Sequence, residues 1–159
     1  MSVFVAEELS EVLNTKVVIG RINIGLLNRI IIDDVLLDDQ SGQEMLKVTR
    51  LSAKFDIMPF FKGKISISSV QLFGFNINLR KETPDSPPNF KFVLDAFASK
   101  DTVKKENSLD LRINSILIRR GRMSYHVLSE EETPGKFNAK HIQLQNIIAN
   151  ISLKALSKD

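Results

Sequence analysis

Two histidines, His126 and His141, are the side chains of this chain best suited to acid–base catalysis or metal binding. They are far apart in the sequence and share no ligand-like spacing with a carboxylate cluster, and the chain contains no cysteine. His126 follows Tyr125 in a segment with strand alternation, so we interpret it as a side chain on a sheet face. The histidines therefore predict neither a metal site nor a cofactor site.

Neighbouring carboxylates occur twice, as Asp33 with Asp34 and as Asp38 with Asp39. Paired carboxylates can act as a general acid and a general base when both face one substrate. In an alternating strand, however, neighbouring side chains point to opposite faces, and the second pair falls in a predicted turn. We therefore interpret all four as solvated charges.

Phosphate could bind to the cluster of Arg119, Arg120 and Arg122. The cluster surrounds Gly121, where the pattern predicts a hairpin corner, so a charged turn is the simpler interpretation and a lipid-headgroup site is the alternative. The glycines of residues 20–25 are too widely spaced for a dinucleotide-binding loop. The sequence thus predicts no catalytic residue and no enzyme.

Composition indicates one folded domain: the chain has 159 residues, of which 43% are hydrophobic and 26% charged. A net charge of +3, without a run of lysines and arginines, does not favour nucleic-acid binding. No apolar run approaches the roughly 18 residues of a membrane-spanning helix. The opening residues are acidic, so we expect a segment without its own export or anchor signal.

A repeated pattern in residues 64–79 organises the rest of the chain. Its apolar residues are separated by steps of two or three and are Ile65, Ile67, Val70, Leu72, Phe75, Ile77 and Leu79. Adding 46 to each number, as from Ile65 to Leu111, gives Leu111, Ile113, Ile116, Ile118, Gly121, Met123 and Tyr125. A step of two is strand alternation, whereas a step of three requires a bulge or a tight turn if the apolar residues are to share one face.

The same steps recur in residues 16–27, 29–38, 46–57 and 142–153, which we also predict to be strands. The slips in alternation predict bulges at Ser68 with Ser69 and at Asn114 with Ser115. They predict hairpin corners at Phe73 with Gly74 and at Arg120 with Gly121.

Two short helices are predicted, over residues 2–14 and 89–99, from apolar residues at helical spacing. In the second helix Phe90, Val93, Leu94 and Phe97 should pack on the apolar face of the sheet. Loops are expected at residues 83–88, 99–108 and 130–136. The fold class is therefore mainly β with two short helices (α+β): a curved antiparallel sheet of repeated kinked strands, with the N-terminal helix at one end.

A sheet with one apolar face must cover that face, and two short helices are too small to cover it all. The uncovered part would form a half-open apolar groove; the alternative is a closed core, covered by the helices or by further repeats. The predicted groove-lining residues are Ile65, Ile67, Val70, Leu72, Ile113, Ile116 and Ile118. Residues that alternate with them and should face outward are Ser66, Ser69, Arg112 and Ser115.

Over most of its length, from about residue 8 to 156, the chain resembles the N-terminal region of AsmA-like proteins of the translocation and assembly module B (TamB) type, found in Gram-negative envelopes. The matching segments are, in order, NTKVVIGRINIG, LNRIIIDDVLLDDQSGQEML, KGKISISSVQLFGFNINL, NFKFVLDAF and LRINSILIRRGRMSY. Each motif alone is weak, and their order carries the resemblance.

The resemblance implies that residues 1–159 are one β-groove segment, a fragment of a longer envelope protein that bridges the periplasm. It implies a groove that carries phospholipid acyl chains between inner and outer membrane, or alternatively a module that assists insertion of outer-membrane proteins without carrying lipid. Family members normally begin with a transmembrane helix, which this sequence lacks. The implied anchor in the inner membrane is therefore missing here, and a barrel of the outer membrane is the implied partner.

Overall fold

A computed structural model describes residues 2–56, 65–98 and 109–152. Its elements, in chain order, are α1 (Ser2–Leu13), β1 (Val17–Gly25), β2 (Arg29–Asp38), β3 (Glu44–Phe55), β4 (Ile65–Lys81), α2 (Lys91–Ala98), β5 (Leu109–Val127) and β6 (His141–Ser152). The strands form one open sheet in the order β1-β2-β3-β4-β5-β6. This confirms the predicted fold class, and both helices lie within a residue or two of their predicted bounds. The predicted loop at residues 99–108 lies outside the described residues.

One pair of strands departs from the expected antiparallel arrangement: β4 and β5 are parallel. They are the two copies of the repeat, and they pair at the offset of the repeat itself, with Leu72 beside Ile118 and Ile77 beside Met123. A parallel neighbour requires a crossover that returns the chain to its starting end, and α2 belongs to that crossover. From Ser69 onward the repeat therefore places equivalent residues side by side, whereas Ile65 and Ile67 pair two residues away from their equivalents, with Leu109 and Leu111.

The predicted hairpin corners at Gly74 and Arg120 are wrong, because both residues lie inside continuous strands. Gly74 and Arg120 have φ angles of 64° and 53°, so each strand kinks without turning back. Asp34 and Asn146 make the same kink in β2 and β6, at φ angles of 57° and 54°. A residue with left-handed backbone angles interrupts the alternation of the strand. Two adjacent polar side chains can then both point away from the apolar face.

One position in each of β1 to β5 lies beside the next across the sheet, and we call these positions the kink line: Gly20, Asp34, Thr49, Gly74 and Arg120. Asn146 kinks β6 one row away, between Leu144 and Ile147. Gly74 packs closely there, since a Cβ atom on it would lie 2.7 Å from Oγ1 of Thr49. The kink line explains why β1 to β5 carry a step of three at the same level.

The bulge predicted at Ser68 is confirmed, because Ile67 and Ser69 pair with consecutive residues of β3. On the β5 side, Ile67 pairs with Leu111 and Ser69 pairs with Ser115. The register therefore also shifts between β4 and β5, at the level of the bulge predicted near Asn114.

Strand register assembles the apolar residues into rows that cross the sheet from β1 to β6. Row 1 is Val17, Leu37, Leu46, Ile77, Met123 and Leu144, and row 2 is Ile19, Val35, Val48, Phe75, Gly121 and Ile147. Row 3 is Ile22, Ile32, Leu51, Leu72, Ile118 and Ala149, and row 4 is Ile24, Ile30, Ala53, Val70, Ile116 and Ile151. Rows 2 and 3 flank the kink line, so the apolar face continues across it.

The buried core lies at the end of this face that carries rows 1 and 2. It consists of Ala6, Leu13, Val17, Ile19, Leu37 and Met45. Helix α1 packs on β1, and α2 contacts α1. Row 3 is half-buried throughout, and the ends of row 4 are open, with Ile24 80% and Ile151 41% exposed.

Helix α2 faces the core with a different set of residues from the predicted one. Phe90 and Val93 pack against the core as expected, but Leu94 is 58% exposed. Phe92 and Ala96 occupy the inner face in its place. The side chain of Phe97 lies outside the described residues. Within the described ranges, no helix has the length and apolar character needed to cross a membrane.

Candidate functional site

The open end of the apolar face, formed by rows 3 and 4, is the candidate site, and we call it the groove. Of the predicted lining residues, Val70 lies beside Ile116 and Leu72 beside Ile118 on β4 and β5. All four are half-buried, as is Ile67 at the margin of row 4, and none belongs to the buried core. Ile65 and Ile113 lie in β4 and β5, but their side chains are outside the description.

The groove is continuous because side chains on neighbouring strands, about 4.8 Å apart, touch within a row. Ser69 and Ser115 pair with each other one position before Val70 and Ile116, so they face the opposite side of the sheet. The predicted alternation of apolar and polar positions along β4 and β5 is thus present in the register. Chemically, the groove offers an apolar surface without titratable groups in its rows.

A polar cluster around Asp39 fixes the covered end of the apolar face. Asp39 is 3% exposed, and its carboxylate accepts hydrogen bonds from Nη2 of Arg80 at 2.5 Å, Oγ of Ser41 at 2.7 Å and Nδ2 of Asn89 at 3.2 Å. Arg80 lies one residue before the end of β4, and Asn89 lies two residues before α2. The expectation of a solvated carboxylate is therefore wrong here, because the turn folds back over it.

The same turn also holds α1. Nε2 of Gln40 donates to the carbonyl oxygen of Leu13, the last residue of that helix, at 2.9 Å. Oγ1 of Thr15 donates to the carbonyl oxygens of Asp38 and Asp39, both at 3.1 Å. Helix carbonyls at a C-terminus lack partners within the helix, so these bonds anchor α1. The turn between β2 and β3 therefore connects both helices to the sheet.

Asp39→Asn should lower the free energy of unfolding by about 1–3 kcal/mol near neutral pH, because Arg80 then loses its ionic partner. Burial raises the pKa of Asp39, but hydrogen bonds from Ser41, Asn89 and Gln43 outweigh it and leave the pKa below its usual value. A carboxyl with a lowered folded-state pKa stabilises the fold above its unfolded pKa and loses that effect as pH falls.

The difference between the wild type and Asp39→Asn should accordingly shrink below about pH 4, the ordinary range of an aspartate. Urea melts at several pH values measure it. Asp38→Asn is the matched control, since the side chain of Asp38 makes no hydrogen bond or ion pair to any described residue. Equal losses for both variants would contradict the role of the cluster.

Asp33 is buried on the face opposite the groove, where it was expected to be solvated. Nε of Arg50 donates to its Oδ1 at 2.6 Å, and Nη2 of Arg21 lies 3.8 Å from its Oδ2. The hydrogen bond from Arg50 holds the pKa of Asp33 below its usual value, against the effect of burial. Asp34, in contrast, is exposed on the kink line. This cluster links three adjacent strands at the kink line.

The arginine cluster lies in β5, within the sheet, and its three members are exposed. The guanidinium carbon of Arg120 lies over the ring of Phe73, 5.4 Å from its centroid, as in a cation–π contact. Arg119 is the register partner of Phe73, so the cluster continues β4 and is no hairpin corner.

His126 and His141, separated in the sequence, form a directly opposed pair on β5 and β6. Their Nδ1 atoms are 3.0 Å apart, and Nδ1 of His126 lies 3.9 Å from Oε1 of Glu132. Two side chains that are 15 residues apart in the sequence therefore meet across the sheet. A signal was present: strands joined by one loop pair from the loop outward, which places residues on either side of it together.

Comparison with known proteins found neither a matching family model nor a matching curated protein.

Proposed function

We propose that this chain is a segment of a Gram-negative envelope bridge protein whose groove carries phospholipid acyl chains between the inner and outer membrane. It would be the periplasmic part of a protein anchored in the inner membrane and would hand lipid to a partner at the outer membrane. This role requires a surface and no reaction, so we propose a transport segment and not an enzyme.

The observation that carries the proposal is the partial exposure of row 3 across all six strands, although Ile22 and Ile32 also pack against the core. Apolar side chains in a sheet are normally covered by another layer. Here α1 and α2 stabilise the end of the apolar face that carries rows 1 and 2, while rows 3 and 4 of the same face lie beyond the buried core. An acyl chain would fill that surface.

The energetic benefit for lipid is substantial. Exposing an acyl chain to water costs about 0.8 kcal/mol for each CH₂ group, and contact with an apolar surface removes much of that cost. Rows 3 and 4 also pass from β4 to β5 without interruption, because the two repeat copies lie in register. Repeats stacked in this way extend one groove sideways, which suits a conduit.

Photocrosslinking from inside the groove tests the proposal. A photoreactive amino acid that replaces Val70 or Ile116 should capture phospholipid when the full-length protein is expressed in an envelope or mixed with phospholipid vesicles. The same amino acid in place of Ser69 or Ser115, on the opposite face, is the matched control and should capture little. Equal capture from both faces, or none from either, would contradict the conduit.

A second function is favoured by the strand edges. Among the described residues, β6 pairs only with β5, and β1 only with β2, so each presents a free edge. A free edge can add a strand from another protein, as in assembly of β-barrel clients. In that case photoreactive residues in β6 would capture a protein, and those in the groove would not capture lipid.

A further inference from the structure

A cluster of possible metal ligands lies where β5 ends and β6 begins, on the face of the sheet opposite the groove. His126 lies one residue before the end of β5, and His141 begins β6. The loop of residues 128–140 between them returns over the pair and brings in Glu132. One potential ligand atom from each of these three side chains lies within 4.8 Å of the others.

The histidine tautomer can be assigned from hydrogen bonding. Nε2 of His141 lies 2.9 Å from the carbonyl oxygen of Glu130, which can only accept, so Nε2 carries the proton. Nδ1 of His141 then has a free lone pair, and it points at Nδ1 of His126, 3.0 Å away. A histidine that donates its other N–H to a carbonyl is the usual arrangement around a bound metal.

The spacing of the nitrogens fits a shared ion. Two nitrogens bound tetrahedrally at roughly 2.0–2.1 Å from zinc are about 3.3 Å apart, a few tenths of an ångström more than here. The rings are tilted by 50° with centroids 5.3 Å apart, so their edges and not their faces meet. A small widening of the pair would admit an ion.

The surroundings of the cluster offer the ion both space and a negatively charged side chain. A cleft of about 310 Å³ adjoins the cluster and is lined by His126, Glu132, His141, Lys136, Asn138 and Gln143, among others. Glu132 is exposed, and among the described residues it has no cation as a close partner apart from His126 when protonated. Glu130 is already paired, since its Oε1 lies 2.8 Å from Nζ of Lys140. Lys136 is the cation that lines the cleft.

We propose that His126, His141 and Glu132 bind one divalent transition-metal ion, with a water as fourth ligand. Two imidazoles and one carboxylate suit zinc and its neighbours in the first transition row better than magnesium or calcium, which prefer oxygen ligands. The ion would join the loop of residues 128–140 to the sheet beside β6. This site is independent of the groove and does not rest on the proposed transport role.

Zinc titration followed by NMR of the imidazole nitrogens tests the site, because the chain has two histidines and both are in it. One equivalent of Zn²⁺ should shift Nδ1 of both rings, while Nε2 of His141 stays protonated. Competition with a chromophoric chelator should show binding at least tenfold weaker in Glu132→Gln and roughly 100-fold weaker in His141→Ala, since even outer-shell changes cost 10–100-fold.

Glu131→Gln removes a neighbouring carboxylate outside the cluster and should leave zinc affinity unchanged. Circular dichroism checks that His141→Ala still folds. If that variant does not fold, the zinc affinity of Glu132→Gln tests the site instead, because Glu132 is exposed and its substitution should not disturb folding. Unchanged imidazole signals at excess Zn²⁺ would overturn the proposal and leave a hydrogen-bonded histidine pair. Equal losses in Glu132→Gln and Glu131→Gln would also overturn it.

Discussion

Phospholipid that copurifies with the protein should fall sharply in Val70→Glu and Ile116→Glu. These residues lie side by side in row 4, between Ala53 of β3 and Ile151 of β6. A carboxylate there puts an unpaired charge on the apolar surface, and contact between that charge and an acyl chain is unfavourable by several kcal/mol. Transport by the full-length protein should fall in parallel.

Ser69→Glu and Ser115→Glu are the matched controls, because they place the same charge one residue away on the other face. They should retain wild-type lipid. Since Val70 and Ile116 are half-buried, their substitution should cost only about 0.5–3 kcal/mol of stability, and melting temperatures test this. Equal lipid in both sets would exclude the conduit. Failure of the groove variants to fold would instead indicate a closed core.

Gly121→Ala should destabilise the sheet by about 3 kcal/mol, the upper end of the range for an overpacked core. A Cβ atom on Gly121 would lie 2.3 Å from Cε1 of Phe75 and 3.0 Å from Cβ of Ile147. Phe75 is 6% exposed, so its ring has no open space to move into. Urea denaturation measures the loss.

Gly25→Ala is the matched control. Its new Cβ would lie 2.9 Å from Cδ1 of Ile31, the end of a flexible side chain beside an exposed hairpin, so its cost should be small. Combining Gly121→Ala with Phe75→Leu should cost less than the sum of the two single changes, because the smaller side chain vacates the space. Additive losses would show that the ring does not oppose the new methyl group.

Strand positions, helix positions and the apolar face were predictable from sequence because they depend on local periodicity. The steps of two and three correctly indicated kinked strands. They could not distinguish a kink from a corner at Gly74 or Arg120, since either restores the apolar face. That choice depends on strand pairing, since the kinks of β4 and β5 lie beside each other.

Contacts between distant segments were harder to predict from the sequence. The buried states of Asp33 and Asp39 depend on Arg50 and Arg80, which lie on other strands. The parallel pairing of β4 with β5 depends on a crossover through α2, and local patterns carry no information about strand direction. The groove could be predicted as apolar, but which end the helices cover was visible only once the core was located.

Parallel pairing at the repeat offset has a consequence for how such a chain can lengthen. The offset is the same on both sides of the kink line, at Leu72 with Ile118 and at Ile77 with Met123. Duplication of a whole unit would therefore deliver a strand that already matches its neighbour in register, face and kink. Insertion of a single residue in one strand would instead turn the following side chains to the wrong face. Gene duplication could widen this protein in whole units, whereas small insertions would be confined to its loops.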